Sequence, residues 1–243
     1  MYSTRLPQIS NEAVEFGTSG LLYRSNKLMY DRRTETLWRH FTGEPVVGRL
    51  ADSGIVLKRF PVTLTTWGDW LAAHPETTVL SIETGVYPPQ VYLPEGDPGA
   101  AYNNYFSNPN PVFPVWQQSD ALPAKATVFG VIVNGAPKAY DLLSLVPRPV
   151  LNDSLGGANI AVVTPPGTSA ARAYLRGNIE LTEAKATGGE TVVTDTTGRR
   201  WRMTEEALVR TDDASIKLAR MPTHFSFWFG WYAAYPNTQV YTK

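Results

Sequence analysis

The sequence predicts an α+β fold, predominantly antiparallel β, with two pseudo-repeated lobes, each a β-meander with one short Trp-rich helix packed on the sheet. The first observation behind this prediction is an internal duplication: residues 57–80 match residues 218–241 without a gap, at a constant offset of 161 residues. The second is that short apolar runs are broken by Gly, Asn and Asp turn signals, which is typical of β-hairpins. A repeat this long indicates two related lobes and not a solenoid.

We assign residues 1–84 to the first lobe. Its strands are expected near residues 21–23, 28–30 and 36–41. A helix is expected over residues 67–74, because apolar residues recur there at three- and four-residue spacing and a threonine just before them can cap the first turn. Pro75 ends this helix, and a strand is expected over residues 77–80.

Residues 85–126 form a connecting loop that is rich in Pro, Gly, Asn and aromatic residues. Such a composition does not support long regular elements. Because disordered segments are poor in aromatics, we expect the loop to pack over a surface or to line a groove.

Residues 127–243 form the second lobe. A hairpin is expected around Asn134-Gly135, since both central residues of a type I′ turn need positive φ. The second copy of the helix is expected over residues 226–235, followed by a strand over residues 238–241. Residues 195–201 match residues 31–38 with one residue deleted. The repeat therefore extends back into the sheet, and the two lobes are expected to form one compact unit.

The two lobes are not equally complete. The second lobe has strand-like segments over residues 127–174 ahead of the matched region, whereas the first lobe has at most fifteen residues before Phe16. The sheet edge that such strands would pair is then exposed in the first lobe. This asymmetry predicts either a lost N-terminal segment or an interface at that edge.

Composition excludes several classes of function. Lys plus Arg and Asp plus Glu both number 22, so we expect no nucleic-acid partner. No run approaches the roughly 20 apolar residues that span a bilayer, so no membrane span is predicted. Cysteine is absent, and the three histidines lack metal-ligand spacing. No cofactor, metal site or catalytic residue is therefore expected, and the chain as it stands is not expected to be an enzyme.

A polar cluster around the first predicted hairpin is the first candidate ligand site. Its members are Tyr23, Arg24, Asn26, Asp31 and Arg32. A carboxylate and an arginine close together can hold an anion, or they can pair with each other. Because Asp31 recurs as Asp195, its alternative role is to anchor the turn before the tryptophan strand through side-chain to backbone bonds.

Three further residues are candidates for ligand binding. His74 lies at the expected end of the first helix, where its ring can instead interact with the last carbonyls. Tyr102 and Tyr105 belong to the connecting loop, where they can line a groove.

A resemblance to a known family rests on four segments: SGLLYRSNKLMYDRRTETLW, TTWGDWLAAHPETTVLS, LPAKATVFGVIVNGAPKAY and VLNDSLGG. Together they resemble the bacterial and archaeal domain-of-unknown-function family 3179, over most of the chain. The resemblance implies kinship of fold only, because the family has no established activity. Its members typically begin with a further block that ends in Cys-Pro-x-Cys-Gly-Thr, which this chain lacks, and they are often exported or membrane-anchored. The resemblance therefore implies a periplasmic or extracellular protein, although the chain shows no signal peptide.

Two functions follow as hypotheses. The first is a non-catalytic β-rich binding or structural module, with the aromatic loop and a cleft between the duplicated lobes as its contact surface. Its partner would be a small molecule, or a second copy of the chain at the exposed edge. The second is a fragment of a metal- or redox-dependent enzyme whose essential cysteines lie in a missing N-terminal block.

The repeat also predicts an energetic equivalence between the two helices. If Trp67 and Trp228 are both fully buried, replacing either with Ala would destabilise its lobe by about 3–5 kcal/mol.

Overall fold

A computed structural model describes residues 2–3, 5–6, 12–187 and 189–241. Within these ranges sixteen strands form four sheets, and one strand pair, near the C-terminus, is parallel while the others are antiparallel. The α+β class with predominantly antiparallel sheets is therefore confirmed.

The first lobe contains a four-stranded antiparallel meander in sequence order. Its strands are β1 (Phe16–Tyr23), β2 (Asn26–Asp31), β3 (Leu37–Arg39) and β4 (Pro45–Val47). The tight turn between β1 and β2 holds Arg24 and Ser25 at φ values of +48° and +63°. Non-glycine residues adopt this region rarely, so the turn carries strain at a site where two polar side chains are displayed.

A short helix and a connecting segment follow the first meander. Helix α1 spans Trp67–Ala73, and Thr66 caps it by accepting a hydrogen bond from the Asp69 backbone N–H at 3.1 Å. The cap is therefore formed as the sequence predicted. The connecting loop holds a 3₁₀ turn (Pro89–Tyr92) and helix α2 (Asn103–Ser107).

The second lobe begins with two hairpins that the described part of the first lobe does not match. Their elements are β5 (Thr127–Val133), β6 (Ala136–Asp141), α3 (Leu142–Leu145), β7 (Val150–Leu155), β8 (Ala158–Val163) and β9 (Arg172–Leu175). Asn134 and Gly135 both have positive φ, +48° and +80°, so the predicted hairpin turn is confirmed. The sequence Asn152-Asp153-Ser154-Leu155-Gly156-Gly157 also predicts a turn, but β7 runs to Leu155 and Gly156-Gly157 alone make the reversal.

A second meander, related to the first, completes the middle of this lobe. Its strands are β10 (Leu181–Thr187), β11 (Glu190–Asp195), β12 (Arg200–Met203), β13 (Ala207–Arg210) and β14 (Lys217–Ala219). The last elements are β15 (Thr223–Phe227), helix α4 (Trp228–Ala234) and β16 (Gln239–Tyr241). Strands β15 and β16 flank the β5–β6 hairpin, which gives the sheet order β15-β5-β6-β16.

The two meanders share one buried device, a carboxylate bound to a tryptophan. Asp31, at the end of β2, accepts the indole N–H of Trp38 at 2.9 Å, and Asp195, at the end of β11, accepts that of Trp201 at 3.0 Å. Burial of Asp31 raises the pKa of its carboxyl, but hydrogen bonds from Thr34, Trp38 and the backbone outweigh this effect and leave the pKa below its usual value. Asp31 therefore anchors a turn through the backbone N–H groups of Arg33 and Thr34, as its alternative role predicts, and it also holds a core tryptophan.

The lobes contact each other through equivalent positions of the repeat. Arg220 donates to the Thr63 hydroxyl at 2.6 Å, and Arg59 lies 3.2 Å from the His224 ring nitrogen. The two arginines are 161 residues apart, and so are Thr63 and His224. Each lobe thus uses the equivalent arginine to contact the equivalent position of the other lobe, which is the pattern of an internal two-fold relation.

The repeated helices differ in burial, and this corrects the prediction that both pack on a sheet. In α4, Trp228 and Trp231 are 1% and 0% exposed, whereas in α1, which buries no residue, Trp67 and Trp70 are 48% and 36% exposed. The strand expected over residues 77–80 is also wrong, since these described residues form none. Both differences have one cause: β5 and β6 support α4, and the described part of the first lobe has no counterpart of them.

The connecting loop is packed against the rest of the chain in some places and exposed in others. Among its aromatic residues, Tyr87, Tyr102 and Trp116 are all more than half exposed. The loop touches the first meander where the Trp116 backbone N–H donates to the Ser25 hydroxyl at 2.9 Å. Elsewhere it packs on the second lobe, where the rings of Tyr105 and Phe106 contact Phe227 and the ring of Phe113 contacts Phe229.

Candidate functional site

A very small cleft lies where the first lobe meets helix α4, and three of the candidate residues line it. Tyr23, Arg24 and Asn26 meet residues 39–41 of the first lobe and Ala234 of α4 there. The Asn26 amide oxygen is buried and has no hydrogen-bond partner among the described residues. The cleft has a volume of about 10 Å³, which is the space of about one water molecule. It is too small to take a metabolite without rearrangement.

The two arginines beside this cleft both contact the Tyr23 ring, and one of them also forms an ion pair. The Arg39 guanidinium lies 5.2 Å from the centre of the Tyr23 ring and pairs with Glu44 at 2.9 Å. The Arg24 guanidinium lies 5.5 Å from the same ring. These cations stack on an aromatic face, an arrangement that also stabilises a strained surface turn without any ligand.

The other two residues of the predicted polar cluster lie apart from the cleft. Asp31 is fully buried beneath the first meander, where its carboxylate binds Trp38. Arg32 is exposed and pairs with Glu15 at 2.8 Å. The structure therefore does not bring the carboxylate and the arginine together as an anion site.

The three remaining candidates occupy separate places. The ring of His74 lies 4.1 Å from that of Trp70 on helix α1. Tyr102 is exposed on the connecting loop. Tyr105 contacts Phe106 and Phe227, and the Lys125 ammonium lies 3.8 Å from its ring centre. None of these shares a pocket with the polar cluster.

Two clusters of partly buried charge lie elsewhere, and both are internally paired. Asp153 accepts hydrogen bonds from Lys138 and from the Tyr140 hydroxyl, each at 2.7 Å. Glu205 pairs with Arg172 at 2.6 Å and with Arg220 at 3.0 Å. Paired groups of this kind fix neighbouring strands, and neither cluster presents a nucleophile beside a base.

A larger feature is an apolar surface on the first lobe, which we call the open face. It consists of six exposed side chains: Leu64, Trp67, Trp70, Leu71, Val79 and Leu80. Their exposed fractions run from 36% at Trp70 to 93% at Leu80. Apolar residues exposed singly are ordinary, but six within one short segment are typical of an interaction surface.

Every residue of the open face has an apolar counterpart in the second lobe that is not exposed. The counterparts are Phe225, Trp228, Trp231, Tyr232, Val240 and Tyr241. Strands β5 and β6 lie between β15 and β16 in one sheet, and their side chains contact these counterparts on both faces of it. Trp228 and Trp231 pack with Val128 and Ala139 on one side of the hairpin. Phe225 and Tyr241 lie against the rings of Phe129 and Tyr140, with ring centres 5.2 and 5.6 Å apart.

Comparison with known proteins shows the family. A family model described as "Protein of unknown function (DUF3179)" matches residues 2–238. The chain belongs to the DUF3179 family. The resemblance inferred from its sequence is thereby confirmed, and the DUF3179 match spans both lobes and the open face. No curated protein and no solved structure matches the chain.

The described part of this DUF3179 chain offers neither a metal cluster nor a membrane-spanning helix. Among the residues that the structure describes, no group of three or more His, Cys, Asp or Glu side chains is placed to hold a metal ion. No helix in the same ranges is long and apolar enough to cross a membrane.

The open face is the part of the site that sequence reasoning missed, although its edge was expected. Reasoning from the sequence placed both tryptophans of α1 in the core, because their spacing is that of a buried helix face. A signal was available in the repeat itself. Aligning the sequences of the two lobes shows which residues of the second lobe are buried against β5 and β6. Their counterparts in the first lobe are then expected to be exposed.

Proposed function

We propose that this chain is a non-catalytic β-rich binding module, and that it binds a polypeptide partner through the open face of its first lobe. One observation carries the proposal: six apolar side chains are exposed in the first lobe, while none of their six counterparts, which pack beside the β5–β6 hairpin on its two faces, is exposed. The same sequence pattern thus has two states, one covered and one open.

The backbone on either side of α1 supports the same proposal. Residues 62–66 and 78–80 correspond to β15 and β16, which both pair with neighbouring strands. In the first lobe these residues, all of them described, belong to no strand. Backbone outside any strand, beside apolar side chains, is what a partner needs in order to add strands by main-chain hydrogen bonds. Within these residues the Val62 carbonyl already accepts a hydrogen bond from Arg220 at 2.8 Å.

The cleft at the lobe junction is a weaker candidate than the open face. It has the volume of about one water molecule, whereas the open face presents two tryptophans, and tryptophan is enriched among the residues that dominate protein–protein binding energy. The binding surface is therefore assigned to the open face.

The experiment is a selection of short displayed peptides on the wild-type chain, followed by affinity measurements on two matched variants. The test variant, Leu64→Lys with Leu80→Lys, places charge on both flanks of the open face. The control variant, Val112→Lys with Leu143→Lys, changes two exposed apolar residues elsewhere. Selected peptides are expected to bind the control like wild type and the test variant at least about tenfold more weakly.

Two results would contradict the proposal. One is that no peptide is enriched on the wild-type chain. The other is that enriched peptides bind both variants equally. Because all four substituted side chains are exposed, each variant is expected to stay within about 0.5 kcal/mol of wild-type stability, so lost binding is not explained by unfolding.

A further inference from the structure

We propose that the partner of the open face is a β-hairpin built like β5–β6, with a glycine beneath Trp70. This inference rests on the proposed function and deepens it by naming the chemistry of the partner. It is drawn from the second lobe, where the equivalent surface and its cover are both present.

The first step concerns the orientation of the tryptophan. Trp70 donates its indole N–H to the Thr77 hydroxyl at 3.0 Å, and Trp231 donates to the equivalent Thr238 hydroxyl at 2.9 Å. The same bond fixes both rings relative to their helices. A cover that fits Trp231 is therefore a template for a cover that fits Trp70.

The second step concerns the glycine. Gly130, in the middle of β5, lies directly under the Trp231 ring, and a Cβ atom at this position would overlap that ring. Its φ is not in the left-handed region, so close approach and not backbone conformation is the reason for glycine. A strand that pairs beneath Trp70 meets the same requirement.

The third step concerns strand direction. Strand β15 pairs antiparallel with β5, and β16 pairs parallel with β6. A partner on the first lobe therefore runs its first strand antiparallel to residues 62–66 and its second parallel to residues 78–80. In the second lobe two strands separate β15 from β16, which corresponds to three strand spacings or about 14 Å, and the same spacing is required between residues 62–66 and 78–80 when the partner is bound.

The fourth step concerns the source of the hairpin. Each chain carries one β5–β6 hairpin and two surfaces that fit it. A second copy that donated its hairpin to an open face would uncover its own α4, so exchange between copies gains no covered surface. The occupant is therefore a hairpin additional to the one in the described residues, carried by a polypeptide partner.

The position of Tyr2 shows how such a unit joins the first lobe. Tyr2 forms an isolated antiparallel bridge with Arg59, and Tyr174 of β9 forms the same bridge with Arg220. Since Arg59 and Arg220 are equivalent, Tyr2 occupies the place of Tyr174. The described part of the first lobe thus has a counterpart of β9 and lacks counterparts of β5 to β8.

This correspondence specifies the experiment. A copy of residues 117–173 is fused directly in front of Tyr2 of the full chain, and amide hydrogen exchange is measured over residues 62–80. The copy includes residues 119–126, which bind the start of α4 through hydrogen bonds to Trp228 and Phe229. Exchange at residues 62–66 and 78–80 is expected to slow by at least about tenfold relative to the unfused chain.

The matched control is the same fusion with Gly130→Val in the added copy only. Because the valine side chain would clash with Trp70, this fusion is expected to leave exchange at residues 62–80 as it is in the unfused chain. Equal protection by both fusions overturns the inference, and so does absence of protection in the first.

A second measurement decides the matter if the fusion does not fold. A cyclised peptide of residues 124–141 is titrated onto the wild-type chain and followed by fluorescence anisotropy, and it is expected to bind at least about tenfold more tightly than its Gly130→Val form. Equal or undetectable binding of the two overturns the inference. If selected linear peptides bind the open face while neither hairpin does, the proposed function stands and only this inference fails.

Discussion

At the scale of single residues, some equivalent side chains of the two lobes have the same role, whereas others differ in burial because their surroundings differ. Asp31 and Asp195 hold Trp38 and Trp201 in the same way, and both carboxyls are held below their usual pKa by hydrogen bonds that outweigh burial. The helix tryptophans do not match in this way. Trp228 is a core residue and Trp67 is half-exposed.

The tryptophan pair gives a direct prediction of stability. Trp228→Ala is expected to lower the free energy of unfolding by about 3–5 kcal/mol, since it leaves a large cavity under α4. Trp67→Ala, expected from the sequence to cost as much, is now expected to cost less than about 1 kcal/mol. Denaturant unfolding of the two variants and the wild type checks this. Equal losses would mean that α1 is packed in solution.

At the scale of elements, one helix sequence behaves in two ways. Helices α1 and α4 span equivalent residues. Each is followed by a residue whose backbone N–H donates to a tryptophan carbonyl: His74 to Trp70 in the first lobe and Tyr235 to Trp231 in the second. Helix α1 gains little from tertiary packing, although short helices in proteins depend on it for most of their stability. It is therefore expected to be the less stable of the two.

Helix α4 can pack closely on strand β5 because residue 130 is a glycine. We therefore expect alanine to destabilise the chain at position 130 but not at an unrestricted glycine. Gly130→Ala is expected to destabilise the chain by about 1–3 kcal/mol, because the added methyl group overpacks the contact with Trp231. Gly96→Ala is the matched control, since a Cβ there meets open space without positive φ. Thermal unfolding of both variants is the measurement, and equal midpoints would remove Gly130 as the contact point.

Much at this scale was predictable from the sequence, and the rest failed for a physical reason. The Asn134-Gly135 turn, the Thr66 cap and the role of Asp31 depend on local chemistry, so the sequence was sufficient. The burial of α1 and the strand over residues 77–80 depend on partners far away in the chain. Local periodicity reports what a segment can bury, and not whether a surface is present to bury it.

At the scale of the whole molecule, the lobes form a pseudo-symmetric pair joined by equivalent arginines and by an aromatic cluster. The ring of His224 lies in that junction, with Phe41 at 5.4 Å, Trp231 at 5.8 Å and Arg59 beside its nitrogen. The duplication itself was read from the sequence. The size of the cleft was not, because it depends on how closely the two lobes approach.

His224 predicts how stability depends on pH. Burial, and then the charge of Arg59, lower the pKa of His224 to about 3 in the folded state, against about 6.5 when unfolded. As pH falls below about 6.5 the unfolded chain takes up the proton first, so stability declines, by up to about 1.4 kcal/mol per pH unit. Above about pH 6.5 His224 is neutral in both states, so its ionisation no longer lowers the free energy of unfolding.

Urea unfolding between pH 6.5 and 4.5 tests this dependence. Asp31, Asp153 and Asp195 also have lowered pKa values, but their effect on stability sets in near pH 4, where unfolded aspartates titrate. Burial also lowers the pKa of His40, so this histidine contributes to the decline in the same range. His224→Gln is therefore expected to make the decline shallower, and the part that remains is assigned to His40. A variant with the wild-type slope would show that folding does not lower the pKa of His224.

The single β5–β6 hairpin sets the stoichiometry of any assembly formed through the open face. Donor and acceptor surfaces of one chain can propagate into fibres when both are free. Here the donor is engaged inside its own molecule and one acceptor is left. A partner that binds this open face is expected to form a finite one-to-one complex and not a polymer.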